Sequence, residues 1–194
     1  MTLETPKVVP ATAFGRRFRS TTEARWAVCL TELGLQWEYE AETFDLGPLG
    51  WYLPDFWLPS FQASDDSLGA FLEVKPDLAL ADRDYDKAAR LRALTGRPVM
   101  VALGFGIPPL RALYDRIMSS DNPRRTGFRG EIYDVRTNGA DLPTAGAGGR
   151  EHYFLPMRTG TVVLDYSGFN RKDCDPARLR RAYEAGASFR PDRR

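Results

Sequence analysis

The chain has 194 residues, 43% of them apolar and 27% charged, and a formal net charge of +1. That length suits one domain with a real core and room for an appended lobe, while the near-neutral charge excludes a general electrostatic preference for polyanions, so any such affinity must come from local clusters. The two cysteines, Cys29 and Cys174, fit no metal-ligand spacing, no apolar signal segment follows Met1, and no apolar run is long enough for a membrane span; the expectation is a cytoplasmic protein with no membrane role.

In chain order, residues 1–15 read as an N-terminal arm, since Pro6 and Pro10 interrupt a stretch without helical periodicity. Arg16-Arg17-Phe18-Arg19 then places three cations around an aromatic residue, which suits either a solvated turn or a patch that contacts phosphate. Ser20 to Leu33 is the clearest helix. Ser20 at the N-cap with Glu23 three residues on is a capping-box pattern, Gly34 is placed to end the helix, and Trp26, Cys29, Leu30 and Leu33 form an apolar stripe. Glu23 has two readings: it caps the helix by reaching back to the Ser20 amide, or, leaning toward the apolar side, it reaches a metal site directly or through water.

Gln36 to Leu46 alternates in part and predicts a strand, Gly47-Pro48-Leu49-Gly50 a turn, and Trp51 to Pro59 the returning strand of a hairpin. Ser60 to Gly69 reads as a loop, Ala70 to Lys75 as a third strand stopped by Pro76, and Asp82 to Leu94 as a second helix. The continuous apolar run from Pro98 to Phe105 suits a strand buried on both faces. Helix, three strands, helix and strand imply a mixed sheet in which a crossover helix leads to a parallel fourth strand.

Chemistry concentrates at Asp55 and at Glu73-Val74-Lys75. Alternation puts Glu73 and Lys75 on one face of their strand, and pairing with the preceding strand brings Asp55 toward Glu73. Two carboxylates that close repel unless a cation lies between them, and a hard divalent ion with oxygen ligands suits the place. The competing reading is a simple Glu73–Lys75 ion pair on a solvated face, worth ~0–1 kcal/mol.

Phe18-Arg19-Ser20 before Glu23-Ala24-Arg25-Trp26-Ala27-Val28, then Trp37-Glu38-Tyr39-Glu40, Tyr52-Leu53-Pro54-Asp55-Phe56-Trp57-Leu58-Pro59, Glu73-Val74-Lys75 and Thr95-Gly96-Arg97-Pro98-Val99 resemble the PD-(D/E)xK nuclease superfamily, in particular its small phage- and plasmid-associated, restriction-endonuclease-like members. The resemblance runs over about residues 16 to 105. It implies an α/β restriction-endonuclease-like core, a mixed β-sheet flanked by helices in αβββαβ order over residues 16–106; apart from the resemblance, residues 107–194 are expected to form a C-terminal α+β extension that packs on the core. It further implies a Mg2+-dependent endonuclease of DNA, with Mn2+ as a substitute ion. Asp55 and Glu73 match the metal ligands, the Val74 carbonyl completes the protein's share, Lys75 matches the lysine that orients or activates the attacking water, and Glu23 matches the first-helix acid that supports the metal or its water shell. Lys87 stands where some members place a further basic or polar residue. The chemistry is coherent: the ion supplies a Lewis acid and lowers the pKa of water, and the ammonium group favours hydroxide and holds it in line.

Beyond Gly106-Ile107-Pro108-Pro109, residues 110–118 predict a short helix, and Asn122 to Gly130 forms a basic loop whose Arg124 and Arg125 are candidates, with Arg16, Arg17, Arg19 and Lys87, for nucleic-acid contact. Gly130 to Val135, His152 to Leu155 and Thr161 to Tyr166 read as strands that either extend the core sheet or form a small cap, and Cys174 to Gly186 as a helix. This half is a candidate for substrate choice, for a protein partner, or for a homodimer, because cutting both strands is simplest with two active sites. A single histidine, His152, argues against histidine-dependent nucleases, no phosphate-binding Gly-Lys loop suggests a motor, and Cys29 lies on the buried stripe. Two alternatives stay open: a structure-selective resolvase or transposase-type nuclease subunit, and a catalytically silent nucleic-acid-binding or assembly protein on the same fold.

Overall fold

The computed structural model describes residues 10–62, 68–75, 78–105, 131–135, 154–156, 158–164 and 174–191. The elements are β1 (Ala11–Ala13), β2 (Arg16–Phe18), α1 (Thr21–Glu32), β3 (Glu38–Tyr39), β4 (Phe44–Asp45), β5 (Trp51–Tyr52), β6 (Phe56–Gln62), β7 (Leu68–Lys75), α2 (Leu78–Thr95), β8 (Val99–Leu103), β9 (Glu131–Val135), β10 (Phe154–Pro156), β11 (Val162–Leu164) and α3 (Pro176–Ser188). Among the described residues this is a mixed α/β fold with three helices and a five-stranded mixed sheet in the order β3-β6-β7-β8-β9.

Strand β7 is the pivot of the sheet. It pairs antiparallel with β6 (Phe56 opposite Leu72) and parallel with β8 (Leu72 opposite Met100), and β9 adds to β8 antiparallel. Helix α2 supplies the crossover that the parallel pair requires. Alternation along these strands gives the sheet two apolar faces. Phe56, Leu58, Ala70, Leu72, Met100 and Ala102 pack with α1 and α3, whereas Phe71, Val99 and Val101 pack with Ala88 and Leu91 of α2 and with Leu46 and Tyr52.

The first helix forms as its sequence dictates. The Ser20 hydroxyl accepts the Glu23 amide hydrogen bond (3.1 Å), Trp26, Cys29, Leu30 and Leu33 are all buried, and Gly34 at φ 69° ends the helix in the left-handed region. Helix α3 seats on α1. Trp26 of α1 meets Tyr183 of α3 edge-on at 6.3 Å between ring centres, and Arg178 donates to the Leu33 carbonyl, placing a cation at the C-terminal end of α1.

Several expectations change. Residues 11–13 are not a free arm: they pair with Arg16 to Phe18 around a tight turn in which Phe14 and Gly15 both have positive φ, a turn that the bulky Phe14 does not signal. The strand expected at 36–46 is two short pieces, and the one expected at 51–59 is interrupted over Leu53-Pro54-Asp55, where Pro54 has no amide to give a ladder. The loop expected at 60–69 shrinks because β6 runs to Gln62 and β7 begins at Leu68. Residues 131–135 extend the core sheet, whereas 154–156 and 162–164 form a separate antiparallel ribbon. The helix expected at 110–118 and the basic loop at 122–130 lie outside the described residues.

A Cβ at Gly186 would lie 2.8 Å from the Arg25 carbonyl oxygen and run into the Phe105 ring, so the close approach of α3 to α1 depends on this glycine. Alanine favours a helix interior over glycine by about 1 kcal/mol, but overpacking here costs ~1–3 kcal/mol. Gly186→Ala is therefore expected to lower stability in urea unfolding. A stabilised variant would show that the two helices are not this close.

Candidate functional site

Asp55 lies one residue before β6, at the position that the β6–β7 register sets opposite Glu73. No regular ladder joins them there. Instead, the Val74 amide donates to Asp55 Oδ2 (2.7 Å) and the Asp55 amide faces Glu73 Oε2 at a long 3.4 Å, so each acid is held by the other strand's backbone. Both are buried, at 3% and 5% exposure. Burial raises the Asp55 pKa well above the usual aspartate value; the charges of Glu73 and Glu23 push the same way, against the Val74 amide and Arg19.

Two cations face this pair from different sides. Lys75 Nζ is 2.7 Å from Glu73 Oε1 and 2.6 Å from Oδ2 of Asp84 on α2. Burial lowers the lysine pKa, but Glu73 and Asp84 outweigh it and the net shift is upward, so Lys75 is an ammonium group. Arg19, half exposed, places Nη2 2.8 Å from Asp55 Oδ1 and Nε 2.6 Å from Glu40 Oε1. Its pKa is also raised: burial opposes the shift, and contacts with Tyr39, Asp55 and Glu40 override it.

Glu23 is buried at the first turn of α1, and it does not close the capping box on the Ser20 amide. Its oxygens accept from the Ser20 hydroxyl (2.7 Å), the Arg19 amide (3.1 Å) and the Tyr39 hydroxyl (2.5 Å). Burial and the bond to Glu23 raise the Tyr39 pKa, so this phenol stays a donor. Glu23 fixes the backbone from which Arg19 reaches Asp55, and its charge acts on Asp55 through space. On the other side, the Tyr52 hydroxyl is buried, and burial together with Glu73, Asp55 and Asp84 raises its pKa well above the usual phenol value.

The structure thus brings Glu23, Asp55, Glu73, Val74, Lys75 and Arg19 to one end of the β6–β7 pair. Arg19, a candidate for phosphate contact, pairs with Asp55 in this structure. Arg16 is exposed and donates to the Tyr39 carbonyl (2.9 Å), and Arg17 is exposed beside it. Among the described residues, no hydrogen bond or ion pair links Lys87 of α2 to the acids. Arg124 and Arg125 lie outside the described residues. Asp84, Glu40, Tyr39 and Tyr52 were not expected in the cluster. Closeness in the chain, three residues, is a signal that could have put Tyr52 near Asp55, whereas helix phase alone does not aim Asp84 at Lys75.

Among the described residues, no three His, Cys, Asp or Glu side chains converge at metal-holding distance, and no helix is long and apolar enough to cross a membrane. The donor set of Asp55 and Glu73 still fits a hard divalent ion: two buried carboxylates on adjacent strands, where burial and the neighbouring acids together raise the Asp55 pKa. No protein-family model matches the chain, and neither the curated proteins nor the solved structures contain a significant match.

Because the folded protein raises the Asp55 pKa, protonated Asp55 contributes stability that is fully present below the ordinary carboxylate range and lost as pH rises through the raised value. Asp55→Asn keeps an acceptor for the Val74 amide and cannot ionise. Without metal at neutral pH it is expected to melt roughly 2–5 °C above wild type, with the gap closing toward about pH 4. Equal melting at neutral pH, or a gap that widens in acid, would contradict the assignment of strain to this carboxylate.

Proposed function

We propose that the chain is a metal-dependent endonuclease of DNA built on a restriction-endonuclease-like core, as a member of the PD-(D/E)xK superfamily. One observation carries the reading: Asp55 and Glu73 are buried as neighbours across β6 and β7, with the Lys75 ammonium 2.7 Å from Glu73. The order α1, β3, β6, β7, α2, β8, with a parallel last pair, supports the same core. Asp55, Glu73 and the Val74 carbonyl are the groups that would hold magnesium or manganese. Such an ion supplies a Lewis acid for the phosphoryl oxygens and lowers the pKa of water.

The chain's own residues do the rest. Lys75, kept cationic by Glu73 and Asp84, donates to the attacking water and opposes the negative charge that grows on the phosphate. Glu23, held by Ser20 and Tyr39, fixes the start of α1 and the backbone of Arg19. With an ion held at Asp55, Arg19 would be free to turn to the DNA backbone, and Arg16 and Arg17, exposed on β2, would extend the same basic edge. A homodimer would place two such centres on the two strands of a duplex.

A catalytically silent module on the same fold is the second reading, favoured by one specific feature: Arg19 and Lys75 already neutralise the acids without an ion. Incubation of labelled linear, single-stranded, branched and supercoiled DNA with magnesium, manganese or chelator separates the two. Metal-dependent cutting that disappears in Asp55→Ala supports the nuclease, and the preferred DNA form tells a duplex cutter from a junction- or transposon-type enzyme. Absence of cutting on every substrate favours the silent module. Lys75→Ala is expected to lose roughly 10²–10⁴-fold in cleavage rate with DNA affinity unchanged in a binding titration, and unaltered turnover would remove Lys75 from the mechanism.

A further inference from the structure

Arg25 of α1 carries a charge that no described acid answers. It is half-buried, and its backbone lies against α3, where a Cβ at Gly186 would stand 2.8 Å from the Arg25 carbonyl oxygen. The exposed Arg190 folds back over the same end of α3, its Nη1 donating to the carbonyls of Ala187 (3.1 Å), Ser188 (3.3 Å) and Phe189 (3.2 Å). The two helices thereby gather two arginines at one place. Among the described residues no carboxylate pairs with either, and Arg25 Nε is buried without a hydrogen-bond partner. Burial and the charge of Arg190 both lower the Arg25 pKa, yet a guanidinium keeps its proton, so the repulsion stays. A guanidinium only donates, and an oxyanion with several acceptor oxygens satisfies two of them at once.

The pair sits at the end of the sheet that carries the acids. Strands β7 and β8 are parallel, so the chain leaves both at that end. There the Gly104 amide donates to the Lys75 carbonyl (2.6 Å), the Trp26 indole donates to the Gly104 carbonyl (2.8 Å), and the Phe105 ring fills the space at Gly186. A continuous set of contacts runs from Lys75 to Arg25. Resting on the nuclease reading above, we propose that Arg25 and Arg190 together bind one phosphate of the DNA backbone, away from the bond that is cut. Such a contact fixes how the nucleic acid lies on the protein and carries no sequence information. With Arg16, Arg17 and Arg19 before α1, it continues one basic surface across the helix.

The test uses the full chain and a labelled DNA duplex, titrated at several salt concentrations in chelator and again in Ca2+, on wild type, Arg25→Met, Arg190→Gln and the double variant. The slope of log affinity against log salt is expected to be shallower in the double variant by about 0.9, the share of one phosphate. Each single variant falls between it and wild type. Arg25→Met keeps the apolar stem and removes a like charge, so without DNA it is expected to melt at or above wild type. A melting point well below wild type overturns the proposal, because the charge then serves the fold. Wild-type affinity and slope in the double variant overturn it while leaving the nuclease reading standing, and a fall in slope of about 1.8 overturns the shared phosphate. Failure of wild type to bind the duplex in either condition removes the DNA reading and this inference together, and the wild-type titration alone tells that failure from the others.

Discussion

The enforced closeness of two carboxylates governs this structure. Asp55 and Glu73 sit opposite each other because β6 and β7 pair in one register, and that register is fixed by Phe56, Leu58, Ala70 and Leu72 packing under α1. A slip by one residue would turn those side chains out of the core, so the apolar sheet face pays for the electrostatic conflict at its end. Everything polar nearby answers it: the Val74 amide on Asp55, Lys75 on Glu73, Arg19 on Asp55.

The two cations answer in different ways. Lys75 is inside, fastened between a strand acid and a helix acid, and can move little without leaving Glu73 or Asp84 unpaired. Arg19 comes from the backbone just before α1, with more than half of its side chain in solvent, and its withdrawal leaves no buried cation behind. The site therefore has one fixed and one displaceable positive charge. That division suits the proposed nuclease centre, which would hold a water in place and admit both an ion and a phosphate.

Much of this was legible in the residues. Ser20, Glu23 and Gly34 marked the first helix, period-two alternation put Glu73 and Lys75 on one face, and the apolar run after Pro98 gave the buried parallel strand. Partnerships that depend on tertiary phase were not legible. The sequence of α2 says nothing about which turn faces Lys75, so Asp84 was invisible, and a basic triplet before a helix reads as phosphate contact whether or not an acid lies across from it. Glu23 shows the same limit: its spacing predicts a local cap, but the Tyr39 hydroxyl, sixteen residues away, reaches its carboxylate from β3. Where the local signal was strong but the partner distant, type was right and role incomplete.

Burial, register and charge together describe a pair of buried acids that protein cations neutralise, and under the proposed function an ion would replace one of those cations. The most direct test of that account is the anomalous scattering of a crystal soaked in Mn2+. The account predicts a manganese peak at about 2.1 Å from oxygens of Asp55 and Glu73, with the Arg19 guanidinium withdrawn from Asp55 and Lys75 still on Glu73. No peak there, with Arg19 still bound to Asp55, would mean that the arginine is the permanent counter-ion and the cluster a structural ion network.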